Sequence, residues 1–254
     1  MLDPSSLCMH CMNPAVDKNG VCGVCGTNSS IVENKAHQLE CGSILAGTYL
    51  VGEALGQGGF GITYLGFDLN LNIKVAIKEY YPEGCVTRDI GTKTLVVTLA
   101  QEKAEWFESG KTKFMNEAKM LANFSGDSGI VIVRNFFHEN GTAYIVMDYV
   151  EGETLKQYTE RRGGRIPADE LLRQFKPLFA SIMRIHEVNL LHRDISPDNI
   201  MLRPDGTLTL LDFGAARQMS TMGEHSNTIN VKNGFAPEEQ YRTRGEQGPW
   251  TDVY

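Results

Sequence analysis

From Tyr49 onward the apolar residues fall into short runs with the length and alternation of strands. These are Tyr49-Leu50-Val51, Ile62-Thr63-Tyr64-Leu65, Lys74-Val75-Ala76-Ile77-Lys78 and Ala143-Tyr144-Ile145-Val146-Met147. A hairpin is expected around residues 94–99, with a helical stretch after it through Phe107, and residues 82–110 read as a surface insertion. Apolar residues from Phe114 to Leu121 recur at helical spacing, and so do Leu172, Phe175, Phe179, Ile182 and Ile185, which predicts a helix over 171–187. Residues 27–45 are polar and weakly periodic, as suits a linker or a docking strap.

At 254 residues the chain can bury one large core or two modest ones. Its net charge of −7 argues against broad binding to nucleic acid or anionic membranes, which both need clustered Lys and Arg. No apolar stretch reaches bilayer-spanning length, and no basic segment followed by an apolar run opens the chain. A cytoplasmic protein with no membrane segment is therefore expected, and there cysteines serve more often as metal ligands or free thiols than as disulfides. Four of the six are paired as Cys8-Met9-His10-Cys11 and Cys22-Gly23-Val24-Cys25. That spacing lets two thiolates from each turn close a tetrahedron around Zn2+. So short a segment cannot build its own apolar core, which makes the metal the expected staple. It resembles a zinc ribbon. His10 falls outside the completed four-sulfur shell, while Cys41 and Cys85 read as ordinary thiols. A protein is the better candidate partner for the ribbon, because Lys18 as its one basic residue disfavours nucleic acid.

Two later runs carry chemistry: His192-Arg193-Asp194-Ile195-Ser196-Pro197-Asp198-Asn199, and then Asp212-Phe213-Gly214. They supply one Asp able to take a proton from a hydroxyl, plus an Asn and a second Asp whose oxygens suit a hard cation. Upstream, Gly56-Gln57-Gly58-Gly59-Phe60-Gly61 lies between strand-like runs, where glycines let a hairpin backbone approach phosphates. A dinucleotide-binding turn shares this spacing but must open a helix. Lys78 closes the next strand, and Glu117 lies on the helical stretch beyond it, with Glu102, Glu105 and Glu108 as rival acids.

With the glycine run, Val75-Ala76-Ile77-Lys78, the catalytic run and Asp-Phe-Gly in this order, residues 49–254 resemble a bacterial serine/threonine protein kinase. The resemblance implies an α+β bilobal fold. A β-rich N-lobe (49–147), a hinge (148–152) and a mainly helical, C-terminally incomplete C-lobe (153–254) would follow a zinc ribbon (1–30) and a linker (31–48). It also implies ATP with Mg2+ or Mn2+, a protein Ser/Thr acceptor and a signalling role. Under it, Gly56, Gly58, Gly59, Phe60 and Gly61 cover the phosphates, while Lys78, paired with Glu117, holds them. Thr63, Ala76 and Met201 flank the adenine, Met147 stands as gatekeeper, and the backbone of Asp148 and Val150 meets the adenine edge. Asp194 is the base, and Asn199 and Asp212 hold the cation. Thr63 replaces the usual valine and adds a hydroxyl to an apolar slot.

Position 196 departs from the family pattern, which has Lys two residues after the catalytic Asp; here it is Ser196. Aligning Glu239-Gln240-Tyr241 with the common Pro-Glu-Gln-Tyr ending puts Lys232 where such kinases carry Thr. An exchange is expected, with the hydroxyl at Ser196 and the ammonium at Lys232 beside the transferring phosphate. A literal reading of Ala236-Pro237-Glu238 would make Glu238 the structural acid instead of Glu239. A phosphate on Ser220, Thr221, Ser226 or Thr228 could pair with Arg193. Trp250-Thr251-Asp252-Val253-Tyr254 resembles the start of the central C-lobe helix, with Asp252 bracing the catalytic loop. The chain ends there, so exposed C-lobe apolar surface is expected, and Glu239 is expected to lack its usual arginine. Three alternatives stand beside the protein kinase: a small-molecule kinase, a nucleotide-binding scaffold without catalysis, and an interaction protein working through its ribbon.

Overall fold

The computed structural model describes residues 3–29, 31–32, 35–89, 91–97, 101–213, 217–218, 234–242 and 245–254. Two compact units result, Met1–Asn123 with Val133–Tyr149, and Phe124–Ile132 with Val150–Tyr254. Among the described residues, no helix is long and apolar enough to cross a membrane.

The first unit opens with β1 (Ile44–Leu45), β2 (Tyr49–Gly58), β3 (Gly61–Asp68) and β4 (Ile73–Tyr80). Next come a separate hairpin of β5 (Val86–Arg88) and β6 (Leu95–Val97), then helix α1 (Gln101–Leu121). β7 (Val133–Glu139) and β8 (Thr142–Asp148) complete an antiparallel sheet of order β1-β2-β3-β4-β8-β7. β1 falls inside the stretch expected as a linker. β4 is central, and its last six residues are buried, because both faces of the sheet are covered there. Its alternation sends Lys78 and Tyr80 to one face, where the Tyr80 ring packs on Phe107 and Phe114 of α1 at 5.3 and 5.6 Å. Glu79 goes to the other face.

Two expectations for the insertion are corrected. The hairpin lies at β5–β6, one strand earlier than residues 94–99, and the two helical stretches are a single helix. Gly110 misleads, because glycine usually interrupts a helix. Here it lies within α1, and a Cβ on it would run into the Tyr80 ring, 2.9 Å from Cζ. Its lack of a side chain lets strand and helix approach. The insertion is also more than a surface elaboration, since the Arg88 side chain is only 4% exposed.

The second unit comprises β9 (Glu153–Thr154), α2 (Leu155–Arg161), α3 (Ala168–Glu187), β10 (Leu190–Leu191), β11 (Ile200–Leu202), β12 (Leu208–Leu210), β13 (Arg217–Gln218) and α4 (Pro249–Val253). Thr154 starts α2 with a capping box closed by Gln157. α3 buries Leu178, Ser181, Ile182 and Ile185. Leu172 and Phe179, of the same apolar period, form with Met183 a neighbouring exposed stripe, in line with the exposed apolar surface expected for this lobe. The buried stripe carries the chain to β10 and then into the loop at His192.

Candidate active site and metal centre

In the first unit, strand register brings the nucleotide-site candidates together. Thr63 lies opposite Lys78, and Ala76 lies opposite Met147. Residues directly paired across antiparallel strands share a face, and Ala76 and Lys78 alternate onto that same face. It is the face that α1 covers. Lys78 is 7% exposed, with its Nζ 5.8 Å from the centre of the Phe114 ring. Glu117, one turn further along α1, is buried, whereas Glu105 and Glu108 are exposed. At the β2–β3 turn, the Gly59 and Phe60 carbonyls accept hydrogen bonds from the Glu83 and Tyr81 amides at 3.0 and 2.9 Å. Asp148 ends β8, where Arg134 donates to its carboxylate.

Behind Lys78, on the opposite face, lies a polar network that sequence reasoning missed. Glu79 is fully buried and accepts hydrogen bonds from Tyr64 (3.0 Å), Tyr144 (2.7 Å) and Arg88 (2.6 Å). Arg88 uses its other nitrogens on the His37 and Lys93 carbonyls, each at 2.9 Å. Burial, and then the Glu79 charge, push both tyrosine hydroxyls well above their ordinary pKa, so they remain donors. No local pattern marks the pair. Arg88 sits in a stretch that reads as a loop, and only the folding back of β5 brings it to Glu79.

In the second unit, β11 and β12 pair Ile200 with Leu210. One residue beyond that pair, the Leu211 amide donates to the Asn199 carbonyl at 2.9 Å, which sets Asn199 next to Asp212. The Asn199 side-chain amide donates to the Asp194 carbonyl (2.9 Å) and to Asp194 Oδ2 (2.8 Å). Both neighbours only accept, so the amide nitrogen must face them and the amide oxygen turns the other way. That oxygen and the Asp212 carboxylate make a hard, all-oxygen donor set of the kind Mg2+ prefers. Asp252 accepts from the His192 and Arg193 amides at 2.8 and 2.7 Å and lies 2.8 Å from His186 Nε2. These bonds hold Arg193 in the left-handed region, φ 67°, a conformation that persists in a non-glycine residue only when its surroundings fix it. The His192 ring packs 4.4 Å from that of Phe213, and Ser196 is buried. Val150 is buried shortly before β9, and Met201 lies half-buried on β11.

Glu239 accepts from the Thr251 hydroxyl at 2.9 Å, while Glu238 is exposed and pairs with Arg242. This arrangement matches the alignment that makes Glu239 the inward acid, and the partner it shows is a hydroxyl rather than an arginine. Lys232, Gly214, Ser220, Thr221, Ser226 and Thr228 lie outside the described residues.

At the N-terminus, the Sγ atoms of Cys8, Cys11, Cys22 and Cys25 all fall within 4.8 Å of one another. Cys8–Cys25 and Cys11–Cys22 are each 3.6 Å apart. A disulfide needs about 2 Å, whereas a zinc tetrahedron with Zn–S near 2.3 Å sets its sulfurs about 3.8 Å apart. The spacing therefore fits a metal. The Val24 amide and the Asn13 side chain point at Cys22 and Cys11 sulfur, at 3.4 and 3.2 Å. Such donors orient and stabilise thiolates. Hydrogen bonds with Thr27 lower the Cys25 thiol to about 6, whereas burial pushes Cys11 up to about 11. His10 turns to other partners, with Nδ1 2.7 Å from Glu53 Oε2 and Nε2 3.2 Å from the Ile31 carbonyl. Leu7 and Met12 share a buried cluster with Leu50, Leu65 and Phe67 of β2 and β3. The one hint of this in the sequence is that both apolar residues flank the first knuckle.

The protein kinase domain family matches residues 49–254. The chain is similar to the serine/threonine-protein kinase PknA of Nostoc sp., 30% identical over 208 residues that cover 78% of this chain and 34% of that protein. It is also similar to the serine/threonine-protein kinase PknG of Mycolicibacterium smegmatis, 29% identical over 92% of this chain and 27% of that one. It thus spans about a third or less of the length of these relatives. The solved structure of PpkA-294 in its apo form superposes with a TM-score of 0.72 at 37% identity, covering 86% of this chain and 75% of that one.

Proposed function

Because this chain belongs to the protein kinase family, we propose that it transfers the γ-phosphoryl group of ATP to serine or threonine hydroxyls of proteins. We assign it a cytoplasmic signalling role, in keeping with cysteines clustered as metal ligands rather than spaced as disulfides. The observation that carries the reading is the Asp194–Asn199–Asp212 cluster at the open end of the β11–β12 hairpin. Mg2+ (or Mn2+), held by Asn199 and Asp212, would neutralise charge on the phosphates. Asp194 orients the acceptor hydroxyl and takes its proton as the new O–P bond forms and ADP leaves. Lys78, kept in place by Glu117, holds the α- and β-phosphates under the loop of Gly56, Gly58, Gly59, Phe60 and Gly61. Thr63, Ala76, Met147 and Met201 enclose the adenine, whose edge meets the backbone of Asp148 and Val150. Lys232 supplies the ammonium that Ser196 does not.

The test is transfer from γ-labelled ATP and Mg2+ to a generic protein acceptor, followed by phosphoamino-acid analysis. Label is expected on serine and threonine, and Lys232→Ala is expected to slow transfer at least about tenfold. If MgATP raises the melting temperature but no label is transferred, the chain is a nucleotide-binding scaffold.

We also assign one Zn2+ to Cys8, Cys11, Cys22 and Cys25, in a ribbon of residues 1–30. At roughly 10–16 kcal/mol of apparent binding energy, the ion would outweigh any packing that segment could provide. Purified chain should contain one zinc, released as the thiols are titrated with mercurial reagent. Metal-free chain that takes up no zinc yet keeps its N-terminal fold would remove the assignment.

A further inference from the structure

The ribbon meets the sheet at one irregular place. Along β2 and β3 the pairing runs Val51 with Gly66 and then Ala54 with Tyr64, so Gly52 and Glu53 together face Leu65. This is a bulge, a point where a strand bends and its extra amide loses its ladder partner. The ribbon fills that gap. The Glu53 amide donates to the Met9 carbonyl at 3.0 Å, and the Glu53 carboxylate meets His10 Nδ1 at 2.7 Å. A Cβ on Gly52 would lie 2.7 Å from the Met9 carbonyl and would collide with the Met12 side chain, so the approach itself requires glycine. Leu7 and Met12 close the contact on Leu50, Leu65 and Phe67. The bulge lies three residues before Gly56, where the glycine hairpin begins. The stretch that follows the ribbon also touches that hairpin, His37 Nε2 lying 2.8 Å from Gln57 Oε1.

We infer that the thiolate ribbon clamps the root of the glycine loop, with His10 and Glu53 as positioning residues that set how the loop meets nucleotide phosphates. This goes beyond the kinase and zinc assignments and rests on both. Met9 and His10 lie between two ligand cysteines, so metal in the knuckle fixes the carbonyl and the imidazole that grip the bulge. Releasing the metal, or removing the imidazole, lets the bulged strand move. Affinity for MgATP then falls while the groups of the chemical step stay where they are.

The experiment uses the full chain, zinc-loaded and chelated, with the variants His10→Ala, His10→Asn and Glu53→Gln. Hydrogen exchange of the amides at residues 52–58, zinc content, and KM and kcat with MgATP are measured together. His10→Ala should keep its zinc, speed exchange at Glu53, and raise the KM for MgATP about tenfold with kcat unchanged, a change the size of one charge-assisted hydrogen bond. His10→Asn, whose amide nitrogen stands close to the imidazole Nδ1 position, should restore both. Glu53→Gln should behave as a weaker His10→Ala. Unchanged exchange at Glu53 in zinc-retaining His10→Ala overturns the clamp, and so does a fall in kcat at constant KM. Exchange is read without catalysis, so a chain that transfers no phosphate refutes the kinase assignment and still tests the clamp. A chain that binds no zinc refutes the metal assignment and the metal's part in the clamp, and exchange at Glu53 in the His10 variants then decides only whether the His10–Glu53 contact holds the bulge.

Discussion

Asp194→Asn should lower phosphoryl transfer by about 10²–10⁴-fold, the usual worth of a positioned general base, while the chain still binds MgATP and melts at its normal temperature. The substitution preserves size and removes only basicity. The side-chain oxygen that remains can still accept from Asn199 Nδ2, now 2.8 Å from Asp194 Oδ2. The loop itself is fixed from below by Asp252, through the His192 and Arg193 amides, and that support does not involve the Asp194 carboxylate. Binding and chemistry should therefore separate. The check is single-turnover transfer from labelled ATP beside a thermal titration with MgATP. A transfer rate within a few-fold of wild type would show that Asp194 is not the base. Loss of nucleotide binding along with transfer would show that it acts structurally.

The second large effect is expected far from any phosphate. Arg88→Ala should destabilise the first unit by about 3–5 kcal/mol, because it leaves the Glu79 carboxylate buried with its cation removed. Glu79 is 0% exposed, and its two tyrosine donors cannot replace a charge. Arg88→Lys should recover little, since the guanidinium serves three acceptors in three directions and an ammonium on a flexible stem cannot. Replacing both partners, as Glu79→Gln with Arg88→Met, should cost less than Arg88→Ala alone, because no unpaired charge remains. Urea unfolding of wild type, Glu79→Gln, Arg88→Met and the double variant closes the double-mutant cycle, with Arg88→Ala and Arg88→Lys unfolded beside them. A loss under about 1 kcal/mol for Arg88→Ala would mean that water reaches the pair and that its burial is not maintained in solution.

Much of the site was legible because its chemistry is packed into short runs. The run from His192 to Asn199 contains the base candidate, an amide that is a candidate ligand, and the backbone that Asp252 holds. The hairpin that brings Asp212 alongside is only a few residues long. Likewise, Lys78, Ala76, Thr63 and Met147 come together by strand register, which follows from alternation once the strands are paired. Local spacing served less well where one residue had two meanings. Gly110 reads as a helix stop and is a close-packing site. Leu172 and Phe179 share the apolar period of α3, yet it is Leu178, which the pattern did not single out, that turns inward.

The amino-acid sequence by itself determined the family, the order of the motifs, the strand-rich and helical halves and the four-cysteine pattern. All of these depend on neighbours a few residues apart, where periodicity and fixed spacing act. Only the tertiary structure decided which acid on α1 is buried, that Arg88 folds inward to Glu79, and that the cysteine-bearing N-terminal segment shares its core with β2 and β3. Those outcomes depend on which surfaces exclude water together, and burial is a property of the folded assembly that no single stretch of chain carries.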